Sequence, residues 1–318
     1  MVVIVSLFDQ KIQSITKDCI LFKNGCDKIY FMSIQKYLDG LEDLTGKQVI
    51  ITGGTSGIGL AIVKHLLYKN ADVVILARNK KKYDDTRNHL LEKFTNGNID
   101  FISFDQSNDE SIKNAVEEII KNYPNFYALI LNAGLMQPKK YITMTDGYPT
   151  TIKTNYVGEA LFIKCILPYL KEEQRIILQG SLGAGLCFGK VDTLKKQKPK
   201  MFRQYFISKA GVEALFYHYS FKEETKASFY LVEPGVTNSG IIRDYNPIIR
   251  YLGSIFLKLV SHSPDKAALT AMKALDMKTK KGAYIVPRGL CTYRGFPKVK
   301  AFPKRRQREY LVDLLDQE

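Results

Sequence analysis

The chain reads as an α/β protein built on a doubly wound parallel sheet of about seven strands with helices on both faces. Three observations predict this. Short runs of Val, Ile and Leu recur along the chain, several apolar throughout, as strands covered on both faces must be. Longer periodic stretches separate them, the alternation that parallel strands with crossover helices require. A glycine-rich turn, Thr52-Gly53-Gly54-Thr55-Ser56-Gly57-Ile58-Gly59, links the first run to a helical pattern.

In order, the apolar runs at 48–52, 72–76, 100–103, 128–131, 175–179, 228–232 and 283–286 are the expected strands. Residues 60–67 carry apolar positions that fit a helix packed on the sheet, and 109–122, 145–170 and 203–222 are long and periodic enough for helices. With 318 residues, 45% of them hydrophobic, the chain can bury one large core. No repeat or low-complexity linker divides it, so one domain is expected over 44–290. An N-terminal extension, disordered in part, precedes it at 1–43, and a basic tail follows at 291–318.

The extension opens on eight apolar residues, but Asp9 and Lys11 interrupt them too early for a membrane span or a standard signal peptide. Met32, just upstream of the first strand, is an alternative start of translation. Cys19, Cys26, Cys165, Cys187 and Cys291 are odd in number and lack metal-like spacing, which fits a reducing compartment. His65, His89, His218 and His262 lie far apart, so no metal site is expected. The net charge of +15 is spread along the chain, with its densest cluster at Lys298, Lys300, Lys304, Arg305, Arg306 and Arg308. That cluster is either a solvated tail or a dock for acidic lipid headgroups. No nucleic-acid-binding motif accompanies it, and no nucleic-acid partner is expected. A cytoplasmic location follows, with peripheral attachment at a membrane surface kept open.

Glycines in the turn let the backbone approach a pyrophosphate closely, and the free N–H groups of the following helix suit negative charge. At the tip of the second strand the sequence is Ala77-Arg78-Asn79-Lys80, with no carboxylate to accept hydrogen bonds from a ribose hydroxyl. Arg78 instead offers a planar fork to a phosphate, and Lys80, Lys81 and Lys82 add positive charge, so NADP(H) is favoured over NAD(H). Tyr205 and Lys209, four residues apart on a helix, share one face. An ammonium there favours the phenolate and lowers the pKa of the phenol.

The glycine turn, Asn132-Ala133-Gly134, Asn155, Ser181 and the Tyr205–Lys209 pair occur in the order that identifies the short-chain dehydrogenase/reductase family, and the chain resembles it from about Gly46 to Val286. The resemblance implies a Rossmann fold and an oxidoreductase acting on a carbonyl or alcohol. It assigns Tyr205 as acid/base, Lys209 as the group that lowers its pKa and binds the nicotinamide ribose, and Ser181 as donor to the substrate oxygen. Asn155 would hold a water leading to solvent. Gly53, Thr55, Ser56, Gly57, Ile58 and Gly59 would contact the dinucleotide, with Asp105 near its adenine and Asn132, Ala133 and Gly134 beneath it. Pro234, Gly235, Val236 and Thr237 would line the nicotinamide. Leu131 stands where the family usually has a second asparagine.

The 24-residue interval from Ser181 to Tyr205 and the Pro234–Ser239 stretch are similar to the retinol-dehydrogenase-like branch. The apolar segment 247–260 falls at the family's substrate lid, which suits an apolar small molecule. A homo-oligomer paired through the helices carrying Asn155 and Tyr205 is expected, although the apolar run 160–167 would serve equally as intrachain core. Two other functions stay open: a non-catalytic NADPH-binding regulator or scaffold, and a sugar-nucleotide epimerase or dehydratase on the same fold.

Overall fold

The computed structural model describes residues 34–135, 142–195, 200–237, 261–289 and 292–318. Two compact units divide after Leu41. What is described of the first is a short helical stretch at 34–39, followed by a turn in which the Leu41 N–H donates to the Leu38 carbonyl. The expected segments at 1–33, including the alternative start at Met32, and the lid at 247–260 lie outside the described residues.

The second unit is an eight-stranded sheet. Its strands are β1 (Gln48–Thr52), β2 (Asp72–Ala77), β3 (Ile99–Ser103), β4 (Ala128–Leu131), β5 (Arg175–Gln179), β6 (Ser228–Val232), β7 (Tyr284–Pro287) and β8 (Pro297–Lys300). They lie in the order β3-β2-β1-β4-β5-β6-β7-β8. Seven are parallel, registered as Gln48↔Asp72 between β1 and β2 and Val49↔Ala128 between β1 and β4. The order reverses at the β1–β4 step, and the crevice at the carboxyl ends of those strands is where such sheets bind ligands.

The expected seven strands become eight because β8 returns antiparallel on β7, from Tyr284↔Lys300 to Pro287↔Pro297. Pro-Lys-Val-Lys carries no apolar run, so hydrophobic patterning hides it. It needs none, since as an edge strand only its first residue is buried.

Strand alternation assigns two cores. On one face Ile50, Leu76, Leu129, Leu178 and Leu231 pack with α3 (Asp109–Asn122), α4 (150–166), α5 (Met201–Phe221) and α7 (Tyr310–Gln317). On the other, α1 (Gly57–Tyr68) packs against α6 (Pro264–Leu275), while α2 (Lys80–Leu91) borders β2 and β3. α4 is continuous through Thr150–Ile152, a π-helical turn at Lys153–Val157 and Gly158–Ile166, shorter than the expected 145–170. The apolar run within it is intrachain core: Phe162, Ile163 and Ile166 are buried in the same cluster as Leu311 of α7.

Candidate active site

Six of the motif segments follow strand ends on one edge of the sheet, Gly53 after β1, Arg78 after β2, Asp105 after β3, Asn132 after β4, Ser181 after β5 and Pro234 after β6, while Asn155, Tyr205 and Lys209 stand on helices. At the first of these, Gly53 has φ +72°, and a methyl group on Gly59 would lie 2.3 Å from the Gly53 carbonyl oxygen. The turn therefore closes on itself so tightly that only glycine fits at position 59. Ser56 stands at the N-cap of α1, but its side chain makes no capping hydrogen bond. The first amides of α1 are thus left to a ligand rather than to Ser56, an arrangement that fits the pyrophosphate of a dinucleotide. Thr52 laces this turn to the next one: its hydroxyl accepts from the Asn132 and Ala133 N–H groups at 3.0 and 2.9 Å, and its carbonyl accepts from Asn132 Nδ2 at 3.0 Å.

The reacting groups converge one strand further on. The Tyr205 hydroxyl donates to Ser181 Oγ at 3.1 Å, and Ser181 Oγ also accepts from the Gly183 N–H at 3.1 Å. Lys209 Nζ, from the next turn of α5, donates to the last carbonyl of β5, Gln179, at 2.8 Å. A methyl group on Gly134 would lie 3.6 Å from that Nζ and 3.4 Å from Asn155 Oδ1, so the Asn132–Gly134 turn, Asn155 and Lys209 border the same space.

Asn155 sits in the π-helical turn, a feature frequent at functional sites. Its side chain is engaged in full. Oδ1 accepts from the Leu135 N–H at 2.8 Å, while Nδ2 donates to the Leu135 carbonyl at 2.7 Å and to Ser208 Oγ at 3.1 Å. The amide therefore clamps the loop after β4 to α5.

Electrostatics correct one expectation. The Tyr205 phenol is pushed above its ordinary pKa, first by burial and then by Glu233, with only the Ser181 hydrogen bond opposing. Lys209 is buried as well, its own pKa held down by burial and raised in part by Glu159.

The remaining expected contacts divide. Arg78 is exposed at the tip of β2, but Lys80 is committed to Asp84 and sits 4.7 Å over the Tyr83 ring. Asp105 folds back on its own turn, its Oδ1 accepting from the Ser107 N–H at 2.9 Å and the Ser107 hydroxyl at 2.7 Å. After β6, Gly235 has φ +75°, and His262 Nε2 lies 2.5 Å from the Pro234 carbonyl oxygen. The Val236 N–H donates to the Tyr293 carbonyl at 2.8 Å, and Thr237 bridges to His262. Among the described residues, no group of three or more His, Cys, Asp or Glu is placed to hold a metal ion.

A family model described as short chain dehydrogenase matches residues 47–247. The chain belongs to the short-chain dehydrogenase family. It is an oxidoreductase of that family with a single, mostly parallel sheet. It is 28% identical over 271 residues to the short-chain dehydrogenase/reductase pkfC of Emericella nidulans, covering 78% of this chain and 85% of that protein. It is 26% identical over 235 residues to the human polyprenol dehydrogenase, covering 71% of each. Among solved structures, a protein from Mycobacterium paratuberculosis superimposes with a TM-score of 0.70 at 18% identity, over 88% of this chain and 96% of that one. An NADPH-bound short-chain oxidoreductase from Pseudomonas aeruginosa superimposes at 0.60 and 20% identity, over 76% and 95%. At such identities the superpositions establish the fold.

Two features of this dehydrogenase escaped sequence reasoning. Glu159, one turn beyond Asn155, is buried beside the site. The signal was there, a lone carboxylate opening the apolar run of α4. Arg306 is the other. It leaves the tail to enter the core, where its guanidinium bonds Glu213 and Glu233, the Tyr284 hydroxyl at 2.8 Å and, at 3.4 Å, the Ser181 carbonyl. Nothing in the sequence separates Arg306 from exposed Arg305.

Proposed function

We propose that this protein is an NADP(H)-dependent oxidoreductase that interconverts the carbonyl and alcohol forms of a small apolar molecule, with Tyr205 as acid/base. The observation that carries the reading is the 3.1 Å contact between the Tyr205 hydroxyl and Ser181 Oγ, beside Lys209 and above the glycine turn. Gly53, Thr55, Ser56, Gly57, Ile58 and Gly59 would hold the pyrophosphate, Asn132, Ala133 and Gly134 the face beneath, and Arg78 a 2′-phosphate. Pro234, Gly235, Val236 and Thr237 would border the nicotinamide end, and Asp105 the adenine end. When bound, the dinucleotide supplies or accepts the hydride.

Tyr205 gives its phenolic proton to the carbonyl oxygen, and Ser181 donates a hydrogen bond to the same oxygen as charge builds there. Lys209 stabilises the phenolate left on Tyr205. Asn155 keeps α5 and the loop after β4 in register, so that Lys209 and Tyr205 face one cleft. An apolar substrate is supported by Leu186 and Phe188, which follow Ser181 and are 51% and 73% exposed, by the apolar sequence at 247–260 and by the likeness to a polyprenol dehydrogenase. This is also what a member of the retinol-dehydrogenase-like branch would accept.

The test is Tyr205→Phe assayed with NADPH against a panel of apolar aldehydes and ketones. Turnover should fall by about 10³-fold, the upper part of the range for losing a positioned acid, while NADPH still binds by fluorescence titration. Turnover at the wild-type rate would refute the assignment.

A further inference from the structure

Glu159 stands one turn beyond Asn155 on α4, and no part of it reaches solvent. Neither carboxylate oxygen has a hydrogen-bond partner in the protein. Burying an ionised carboxylate in that way costs several kcal/mol unless a cation compensates it. Among the described residues the charge felt at Glu159 is that of Lys209 of α5, itself only 5% exposed, and the charge felt at Lys209 is that of Glu159.

Other charges on the elements packed against α4 are directed elsewhere. Glu110, Lys113, Glu117 and Glu118 of α3 are exposed, Lys153 of the π turn binds Asp109 and Asp146, and Glu213 of α5 binds Arg306. Among the described residues Glu159 and Lys209 form no direct ion pair, and Lys209 Nζ is held by the Gln179 carbonyl, so a proton passing between them needs a bridging water on the unpartnered Glu159 oxygens.

We propose that Glu159 is a positioning residue that shares one proton with Lys209 and so sets the charge beside Tyr205. The inference rests on the function proposed above. As Tyr205 gives its proton to the carbonyl oxygen, the Glu159 carboxyl passes its proton to the Lys209 amine, leaving a carboxylate and an ammonium. The ammonium returns a proton to the Tyr205 phenolate, and water reprotonates the carboxylate. One solvent proton enters per carbonyl reduced. The physical basis is reciprocal: burial pushes the Glu159 carboxyl up, to about 8 even with Lys209 opposing, and the Lys209 amine down, while each charge favours the charged form of the other, so that the proton leaves Glu159 more readily and stays on Lys209 more readily with the partner present.

The experiment compares Glu159→Gln with wild type in two readouts. In the pH profile of kcat for NADPH-driven reduction, the alkaline limb should move down by about one pH unit, the lower end of the effect of one nearby charge, so that activity at pH 8 falls about tenfold while activity at pH 6 changes little. In infrared titration of the protein without substrate, wild type should show a protonated carboxylic acid band that persists past neutrality and is missing from the variant. An unmoved limb, or no such band, overturns the proposal.

Should Glu159→Gln not fold, Lys209→Met tests the pair from the other side: the carboxylic acid band should then titrate at higher pH, and an unmoved titration overturns the proposal. The infrared readouts need no turnover, so they stand or fall apart from the oxidoreductase reading. An active wild type whose variant keeps the same pH profile sinks the pairing alone.

Discussion

Burial of Tyr205 bears on the direction in which its proton moves. A phenol pushed above its ordinary pKa keeps its proton through neutral pH and is ready to give it to a carbonyl, whereas alcohol oxidation must first remove it. In the proposed function, the proton that reduction consumes is therefore already in place near neutrality. Arg78 makes a second argument at the scale of one side chain. It is exposed at the tip of β2, as are Lys80, Lys81 and Lys82, but it directly follows the last residue of the strand, whereas Lys80 is paired with Asp84 and lies over the Tyr83 ring. Loss of a charge-assisted fork to phosphate costs about 1.5–3 kcal/mol. Arg78→Ala should weaken NADPH binding by about tenfold or more and leave NADH binding nearly unchanged; equal losses for both would show that Arg78 does not read the 2′-phosphate. Tyr205, Ser181 and Lys209 were legible in the sequence because helix periodicity and strand ends fix where their backbones go. The protonation of Tyr205 was not, because it depends on burial in the folded chain and on the charge of Glu233, which the sequence does not place beside it.

The elements hold one another through contacts that leave little slack. α5 crosses α4 where Gly211 faces Tyr156: a methyl group at 211 would lie 2.4 Å from the ring, which is fully buried and whose hydroxyl donates to the Leu311 carbonyl at 2.7 Å. Overpacking of this kind costs about 1–3 kcal/mol. Gly211→Ala should lower Tm by several degrees and cut activity, since α5 carries both Tyr205 and Lys209, and Tyr156→Val should restore part of the loss. On the opposite face His65 of α1 lies 2.8 Å from the Asp265 carbonyl of α6, with burial holding its pKa below 6.5. The unfolded chain then binds a proton near pH 6.5 that the folded chain refuses until lower pH, so stability falls as pH drops through that window. Thermal unfolding should show a Tm lower at pH 5 than at pH 7, with a smaller drop in His65→Gln. Most of the seven strands were readable because burial on both faces writes apolar runs, and β3, Ile-Asp-Phe-Ile-Ser at an edge, because its apolar residues stand between polar ones. The π turn in α4 was not, because its extra residue leaves the apolar spacing of a helix intact over so short a span.

At the scale of the whole molecule, the excess of positive charge conceals a structural ion cluster. Glu213 of α5 and Glu233 after β6 are wholly buried, and Arg306, from beyond the last strand, binds both. Removing the cation from such a cluster strands two charges, at a cost of about 3–5 kcal/mol. Arg306→Met should lose that much in urea unfolding, whereas Arg305→Met should lose almost nothing. Indifference to Arg306→Met would mean that the buried carboxylates take up protons rather than stand as stranded charges. Composition alone cannot assign this role, because burial of one arginine among six clustered cations is decided by the antiparallel return of β8, which carries no apolar signature. Among the described residues no helix is long and apolar enough to cross a membrane.

Arg306 reaches back to the carbonyl of Ser181 across 125 positions of chain, so catalytic competence should follow the order of biosynthesis. A ribosome that has already made the glycine turn, the serine and the tyrosine has not yet made the guanidinium that neutralises the acids beneath them. The nascent polypeptide should remain inactive until residues past 306 emerge from the exit tunnel, so that the chemistry switches on late in translation.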